Sequence, residues 1–546
     1  MMGSLMYEIL KISRTRWLHR WMVGLALLLG VVTTGQAQTQ ALDEAWQALT
    51  VKSYSKKAEA IHAIAVHKPA EAVAVLSTML NGNLYFAKKD KTLYRLKEVE
   101  DQYQFQALFS DKLITQDRKR GFRKVKINNQ LRSLLRQSLA ELQLAHSDPQ
   151  VRLGAINELL HDPDDKVVQF IQSVIDKETD AEVVSAMQIL LAINALAQDN
   201  SDKHFAAIET LEQSLNPAAI NALNGYQAPN KQLKRAAEQA IKTINERKDR
   251  FAVIETIFFG LSLGSVLALA AIGLAITFGV MGVINMAHGE LMMIGAYTTF
   301  VVQTLMPNNI GLSIIVAIPA AFVVAGLVGI AIERGVIRHL YGRPLETLLA
   351  TFGISLILQQ AVRSIFSPLN RTVETPQWMS GAWQVNEVLA LTWNRMYIIM
   401  FCIIVFMALI AVMKKTPLGL QVRAVSQNRN MARAMGVRSD WVDALTFGLG
   451  AGIAGIAGVA LSLLTNVGPN LGQAYIIDSF MVVVFGGVGN LWGTLVAGLS
   501  LGVANKIMEP WAGAVLAKIL VLVFIILFIQ KRPKGLFPQR GRAAED

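Results

Sequence analysis

Cysteine is nearly absent from this chain, which has one among 546 residues, Cys402, inside an apolar run. A single thiol excludes a disulfide framework, and packing is its simplest role. The G-x4-G-K-[ST] sequence of a phosphate-binding loop does not occur anywhere in the chain. ATP hydrolysis would therefore belong to another polypeptide. His288 and Glu290 do not form an H-E-x-x-H motif, and the sequence predicts no catalytic site, no metal site and no cofactor.

Charge is unevenly distributed along the chain. Residues 38–250 are polar and charged, whereas residues 251–530 are apolar with short charged interruptions. The formal net charge of +12 is a pattern that can indicate nucleic acid binding. In the second half, however, the basic residues flank hydrophobic spans, as the positive-inside rule describes. We therefore predict the lipid bilayer as a partner, and no nucleic acid.

The N-terminus has the pattern of a secretory signal peptide. Basic residues precede an apolar run from Trp21 to Val32, and Gly35-Gln36-Ala37 resembles an A-x-A cleavage site. We predict a signal peptide over residues 1–37, with an uncleaved anchor helix as the alternative. Both place the next segment outside the cytoplasm.

Residues 38–250 read as a helical, repetitive soluble domain. Asp148-Pro149 opens one helix, and Asp180 opens a similar pattern 32 residues further on. This spacing resembles HEAT-like helix pairs, which stack into a solenoid. The aromatic-rich stretch from Leu84 to Phe122 is less regular and suggests a small β insertion. The fold class predicted for the whole chain is all-α, with this domain preceding a polytopic membrane helix bundle.

The membrane domain is predicted over residues 251–537. Leu261 to Val280 contains no charged residue and is long enough to cross a ~30 Å hydrocarbon core. The further predicted spans are Met286–Leu305, Leu312–Ile332, Leu345–Ile365, Met396–Met413, Val442–Leu464, Ser479–Ala504 and Ala512–Ile529.

Loop charge sets the orientation of these spans. Basic residues cluster in the loops around Arg338 and Arg429 and in the tail after Lys531, so these segments are predicted to be cytoplasmic. The loops 307–311 and 367–395 then face outward with the soluble domain, and residues 538–546 form a cytoplasmic tail.

The segment Ser479–Ala504 has to contribute an even number of crossings in this topology. As one helix it would span only about 39 Å, and a glycine-rich stretch, Gly486-Gly487-Val488-Gly489-Asn490, interrupts it. We predict two short helices that meet at membrane depth. Irregular backbone at that depth is tolerated where it is buried in protein or lines a cavity, so Gly486, Gly487, Gly489 and Asn490 are candidate pathway residues.

Three polar residues, Asn285, His288 and Glu290, stand between apolar runs near the predicted cytoplasmic end of the first span. Polar and ionisable groups in a membrane are costly and often functional. One interpretation is that Asn285 caps the next helix and Glu290 stabilises its positive end. The other is a gate or latch in which His288 and Glu290 bond to neighbouring helices. Both remain open.

Three separated motifs are similar to a known family. They are the stretch from Gly260 to Tyr297, LLATFGISLILQQ (Leu348–Gln360) and VFGGVGNLWGT (Val484–Thr494). Together they resemble the LivH-type permease of branched-chain amino acid and urea ABC importers, over about residues 254 to 537. The resemblance implies alternating access in a bacterial inner membrane. It also implies a LivM-type second permease, ABC ATPase subunits and a periplasmic solute-binding protein.

The basic loop LGLQVRAVSQNRNMARAMGV (Leu418–Val437) resembles the coupling loop of such permeases. It is predicted to be one helix ending at Gly436, with Asn430-Met431-Ala432 in the place of the family's E-A-A. The alternative is an ordinary solvated loop. The residues assigned to ATPase coupling are Gly419, Arg423, Asn430, Ala432, Arg433 and Gly436. In the outward loop, the residues expected to meet the binding protein are Arg371, Glu374, Glu387 and Arg395.

The solute follows from the N-terminal extension. An extracytoplasmic extension of this kind resembles the urea-transporting branch, so urea or a short amide is favoured, with branched-chain amino acids as the alternative. Two other classes remain: a stand-alone channel or secondary transporter, which would need no coupling loop, and a signalling receptor, for which the tail after Lys531 is short.

Overall fold

The computed structural model describes residues 42–99, 102–110, 112–116, 118–160, 165–198 and 201–537. The predicted signal peptide and the predicted tail after residue 537 lie outside these residues. The chain divides into two compact units, one up to Asn245 and one from Glu246 onward.

The first unit contains nine helices and five strands among its described residues, and a tenth helix begins in it. They are α1 (residues 42–48), α2 (Tyr54–His67), α3 (Ala72–Leu80), β1 (Leu84–Ala87), β2 (Leu93–Val99), β3 (Gln102–Ala107), β4 (Leu113–Gln116), β5 (Phe122–Lys124), α4 (Asn129–Leu144), α5 (Pro149–Leu159), α6 (Asp165–Val174), α7 (Ala181–Ala197), α8 (His204–Gln213), α9 (Pro217–Gly225) and α10 (Lys231–Met281). The last of these, α10, continues into the second unit.

The helix starts expected at Asp148 and Asp180 are confirmed. The Asp148 carboxylate accepts a hydrogen bond from the Gln150 amide, and Asp180 accepts from the amides of Glu182 and Val183. These are N-caps, which satisfy amides that have no partner within the helix. The helices from α4 onward enclose one apolar core. A HEAT-like solenoid remains a prediction.

The β insertion expected between Leu84 and Phe122 is a five-stranded antiparallel sheet in the order β4-β3-β2-β1-β5. Tyr85 packs edge-on against Phe105, which stacks on Phe122 at 3.8 Å between ring centroids. The all-α fold class is therefore wrong for the first unit. Aromatic residues favour strands, and side chains that alternate along a strand put every second one on the same face of the sheet.

The second unit is built from helices. After α10 come α11 (His288–Leu305), α12 (Ile310–Gly335), α13 (Pro344–Phe366), the short strands β6 (Ala382–Gln384) and β7 (Ala390–Thr392), α14 (Trp393–Lys415), α15 (Pro417–Gln427), α16 (Arg429–Ala434), α17 (Ser439–Ser462), α18 (Leu471–Gly486) and α19 (Leu491–Lys531). Within the described residues, six helices are long and apolar enough to cross a membrane: α10, α12, α13, α14, α17 and α19.

Small residues hold these helices close together. A methyl group on Gly264 of α10 would come within 2.7 Å of the Gly498 carbonyl oxygen of α19, and α17 lies similarly close to α12 at Gly455 and Ala321. Such close approach is how membrane helices gain packing energy without a hydrophobic driving force. Helix α17 is the most enclosed of the six, with 89% of its 18-residue apolar stretch buried inside the protein.

Helix α19 consists of two helices joined at Gly513, whose φ of 77° is non-helical. The chain therefore makes a hairpin of α18 and the first half of α19, and then returns along the second half. The break predicted near Gly487 is confirmed, since α18 ends at Gly486 and α19 begins at Leu491. The helices on either side are longer than the predicted pieces.

Candidate functional site

Helix α11 begins halfway along the first span. The His288 Nε2 atom lies 2.8 Å from the Ala270 carbonyl oxygen, and Ala270 is the middle of the apolar stretch from Leu261 to Val280. The His288 side chain is fully buried. The start of α11 is therefore at mid-depth, not near the cytoplasmic end as predicted.

The chain reaches this depth because residues 282–287 are not helical. Gly282 has a φ of 67°, which reverses the chain after α10 without the cost that a side chain would add. Six residues can span at most about 20 Å, enough to run back from the end of α10 to the level of Ala270. The Thr351 hydroxyl of α13 accepts a hydrogen bond from the Met286 amide at 3.1 Å, so this irregular backbone is held by protein.

Glu290 links α11 to α13. Its Oε1 atom accepts hydrogen bonds from the Ser355 hydroxyl at 3.0 Å and from the Gln359 side-chain amide at 2.8 Å. All three side chains are buried. We call Glu290, Ser355 and Gln359 the polar latch. Sequence analysis did not assign Ser355 and Gln359, although a polar pair four residues apart in an apolar span was a usable signal.

Helix α18 also begins inside the bundle. A methyl group on Gly289 of α11 would come within 2.5 Å of the Gly472 carbonyl oxygen, and Gly472 faces Gly289 in return. We call this contact the half-helix junction. The positive ends of two helix dipoles meet there, and a carboxylate at position 290 stabilises such an end. Nothing in the sequence around Gly472 indicated the contact.

Unpaired polar atoms surround the junction. Among the described residues, the Asn285 Nδ2, His288 Nδ1 and Glu290 Oε2 atoms are buried and have no hydrogen-bond partner. The Asn285 Oδ1 atom accepts from the Ala287 amide at 3.0 Å, as a capping residue does. Buried polar groups usually find partners, so the three unpaired atoms make this a polar region inside an otherwise apolar bundle.

The glycine break between α18 and α19 does not lie at mid-depth. Gly489 packs against Gly279, close to the end of α10, and a methyl group on Gly487 would come within 2.6 Å of the Phe537 carbonyl oxygen. The Asn490 amide donates to that oxygen at 3.2 Å, and the Phe537 amide donates to the Gly486 carbonyl. The positive φ values of Gly487 and Gly489 form a tight turn. This turn receives the segment after Lys531, so the predicted depth of Gly486–Asn490 is wrong.

The basic loop folds as two short helices, α15 and α16, which we call the coupling element. The single helix predicted there is interrupted at Asn428, whose side chain accepts from the Met431 amide and starts a new helix. The left-handed cap expected at Gly436 is present, with a φ of 86°. The Gly436 amide donates to the Arg433 carbonyl and the Val437 amide to the Ala432 carbonyl, which is a Schellman motif.

The residues assigned to the coupling element have different positions in it. Gly419 packs against the Met413 carbonyl, to which the Arg423 guanidinium donates a hydrogen bond. Ala432 is buried, whereas Asn430 is exposed. The Arg433 guanidinium donates to the Ser439 hydroxyl at 2.5 Å and pairs with the exposed Asp440. The large apolar side chains that this element exposes are Leu420, Met431 and Met435, the last 80% exposed.

Arg429 makes the closest ion pair of the coupling element. Its two terminal nitrogens lie 2.5 and 3.0 Å from the two carboxylate oxygens of Asp443, and its guanidinium lies 4.2 Å from the centre of the Tyr341 ring. Burial raises the pKa of the Tyr341 phenol, which keeps the ring neutral. The sequence did not predict the ion pair of Arg429 with Asp443, because opposite charges fourteen positions apart give no periodic signal.

The four charged residues of the outward loop do not form one cluster. Arg371 is half-buried, donates to the Phe366 carbonyl and pairs through its backbone with Val467. The Arg395 guanidinium lies 4.4 Å from the Phe259 ring centre. Glu374 and Glu387 are exposed.

The second unit is similar in sequence to proteins of a known family. A family model described as "Branched-chain amino acid transport system / permease component" matches residues 256–529. The permease protein BraD of Pseudomonas aeruginosa is 31% identical over 286 residues, covering 51% of this chain and 93% of BraD. LivH of Escherichia coli K12 is 31% identical over 294 residues, covering 52% and 94%. Both are named as parts of high-affinity branched-chain amino acid transport systems.

A more distant relative is a probable branched-chain amino acid permease, LivH of Methanocaldococcus jannaschii, at 24% identity over 283 residues, 50% of this chain and 88% of that protein. The matched family region begins at residue 256, so the first unit lies outside it. No solved structure matches the chain significantly.

Proposed function

Because the chain belongs to the permease-component family of branched-chain amino acid transport systems, we propose that it moves branched-chain amino acids across a bacterial inner membrane. It is a multi-pass membrane protein and a permease of the ABC type, not an enzyme. In this proposal it alternates between outward-open and inward-open states, driven by ATPase subunits on partner chains. A LivM-type second permease and a periplasmic solute-binding protein complete the importer.

The observation that carries the ABC mechanism is the coupling element. Two short helices end in a Schellman cap and expose Leu420, Met431 and Met435. The same segment contains the three arginines of α15 and α16. An exposed apolar helix face of this kind suits a groove on another protein. We infer that this groove is on the ATPase. A stand-alone channel or secondary transporter would have no use for such a face.

The half-helix junction supports an amino acid as the solute. Helix N-termini that meet inside a membrane attract the carboxylate of a bound solute, and Gly289 and Gly472 bring two of them together. The unpaired Asn285 and His288 nitrogens nearby offer further polar contacts. In this proposal Asn285, His288 and Glu290 form the pathway and its gate. Gly486–Asn490 shape the turn that packs on the end of α10 and on the segment after Lys531.

Urea, or a short amide, is the second candidate. It is favoured by the first unit, which lies outside the region that the branched-chain amino acid permeases match. The names of those relatives support the amino acid instead, and we rank it first for that reason. For the outward loop, we retain the exposed Glu374 and Glu387 as contacts for the binding protein. Arg371 and Arg395 are weaker candidates, since both contact aromatic rings of this chain.

Reconstitution of the complete importer tests the function. The chain is purified with its partner permease, ATPases and binding protein, placed in proteoliposomes with ATP, and supplied with labelled leucine or labelled urea. We expect leucine uptake that unlabelled isoleucine and valine suppress, and no urea uptake. Urea uptake without leucine uptake would replace the first candidate with the second. Uptake of neither would contradict both.

A further inference from the structure

Arg429 joins three separate elements. It stands at the start of α16, its ion-pair partner Asp443 is in the first turns of α17, and Tyr341 lies in the connection between α12 and α13. The guanidinium and the carboxylate are 17% and 7% exposed. A bidentate arginine–carboxylate pair fixes the orientation of the two groups as well as their distance. This contact therefore opposes movement of α16 relative to α17.

The other polar contacts of the coupling element are different in kind. Arg433 donates to the buried Ser439 hydroxyl at the start of α17 and pairs with Asp440, but the Arg433 and Asp440 side chains are both 53% exposed. Exposed pairs contribute little and are screened by salt. Arg423 donates to a backbone carbonyl of the preceding helix, α14. Of the arginines in α15 and α16, Arg429 is therefore the one whose side chain and ion-pair partner are both enclosed.

Both partners of Arg429 belong to segments that are connected to α11, the helix that forms one side of the half-helix junction. Asp443 belongs to α17, which contacts α11 where Gly458 faces the Met292 carbonyl, two residues from Glu290. Tyr341 lies three residues before the start of α13, which supplies Ser355 and Gln359 to the polar latch. Packed helices in such close contact shift as units, because interiors at close-packed density do not deform continuously.

We propose that Arg429 is a positioning residue that transmits movement of the coupling element to the half-helix junction through Asp443 and Tyr341. The inference rests on the proposed function, since it requires an ATPase that docks on α15 and α16. Loss of the contact should leave the ATPase bound, because the exposed docking side chains are other residues. Loss of the contact should also uncouple ATP hydrolysis from the movement of α11 and α18 at the half-helix junction.

The test uses the complete importer with the variants Arg429→Gln, Asp443→Asn and the double variant. The matched control is Arg438→Gln, which removes the same charge from an exposed position in the same loop. Three quantities are measured: ATPase co-purification, stimulation of ATP hydrolysis by solute-loaded binding protein, and uptake of leucine or urea, whichever the wild type carries.

We expect normal co-purification in all variants. Stimulation and uptake should fall at least tenfold in both single variants, stay normal in Arg438→Gln, and fall no further in the double variant, since the two residues act as one unit. Normal stimulation in Arg429→Gln would overturn the inference. So would loss of co-purification, which would make the contact part of docking. If the wild type itself binds no ATPase, the proposed function fails instead.

Discussion

At the scale of single residues, the most unusual group is the carboxylic acid of Glu290, which lies inside the helix bundle. Glu290 is 1% exposed, and only one of its two oxygens has hydrogen-bond partners among the described residues. Burying a carboxylic acid with one oxygen unpaired is costly, so stability alone does not account for this residue. Its position at the first turn of α11 and its contacts with α13 suit a group whose partners change during transport.

The first prediction concerns this residue. Glu290→Ala removes the buried acceptor of the Ser355 hydroxyl and leaves the Gln359 amide only its bond to the Ser355 oxygen, at a cost of about 1–3 kcal/mol. We expect a lower thermal midpoint of the purified protein and at least tenfold slower uptake. Glu290→Gln keeps an acceptor oxygen and should retain more of both. Uptake by Glu290→Ala at the wild-type rate would remove the latch from the mechanism.

At the scale of elements, the feature that matters most is a pair of helices that begin inside the bundle. Helices α11 and α18 each start at a glycine-containing turn and face each other through backbone atoms. Each irregular approach, residues 282–287 and 463–470, is held by hydrogen bonds to other segments. This is where non-helical backbone at membrane depth is tolerated.

The second prediction compares two identical changes. Gly289→Ala puts a methyl group within 2.5 Å of the Gly472 carbonyl oxygen, whereas Gly353→Ala of α13 meets nothing within 4 Å. Gly289→Ala should abolish uptake and lower the thermal midpoint by several degrees. Gly353→Ala should be neutral or slightly stabilising, because alanine favours a helix by roughly 0.5–1 kcal/mol over glycine. Equal behaviour of the two variants would show that the junction is not tightly packed.

The third prediction concerns the Schellman cap. Gly436 has a φ of 86° and open space around it, so Gly436→Val strains the backbone without a clash. A non-glycine residue costs roughly 1–2 kcal/mol in this conformation, and more when it is β-branched. We expect reduced ATPase co-purification with normal membrane insertion. The control is Gly335→Val, at the end of α12, where a side chain also meets nothing. Unchanged assembly and uptake in Gly436→Val would favour the solvated-loop interpretation.

The spans could be predicted from sequence because they follow composition. Apolar runs with at most two charged residues gave α12, α13, α14 and α17 to within a few residues. The depth of α11 could not be predicted in this way. It depends on the contact of His288 with Ala270, eighteen residues away, and on Glu290 with Ser355 and Gln359, more than sixty away. Local patterns carry no information on such pairings.

For the glycine turn, the sequence predicted the position of the break but not the segment that packs on it. The break at Gly487 is local and was predicted, whereas its partner, the Phe537 carbonyl, is fifty residues away. The interruption at Asn428 is a third case. Asparagine side chains compete with the helix for backbone amides, and here the competition ends one helix and starts the next.

At the scale of the whole molecule, the order of the helices bears on the orientation. We propose that the soluble domain is outside and the segment after Lys531 inside, with the coupling element on the cytoplasmic side. Starting outside, α10 to α14, α17, α18 and the two halves of α19 alternate in direction and end inside. This agrees with the basic residues that flank the spans.

The fourth prediction tests that orientation by labelling. The single natural thiol, Cys402, is buried, and Cys402→Ala gives a background without reactive thiols. In spheroplasts, a membrane-impermeant maleimide should label Ser380→Cys in the outward loop and leave Asn428→Cys unlabelled until the membrane is opened. Both positions are exposed in the chain. Labelling of Asn428→Cys from outside would reverse the topology.

The central claim is that this chain is the membrane pathway of an ATP-driven importer. The most direct measurement is solute accumulation in proteoliposomes that contain the complete importer, with ATP at the ATPase face. We predict that the solute accumulates above its outside concentration only when ATP and the ATPase subunits are both present, and that vanadate stops it. Equilibration of the solute through this chain at the same rate without the ATPase would contradict the account and identify a channel.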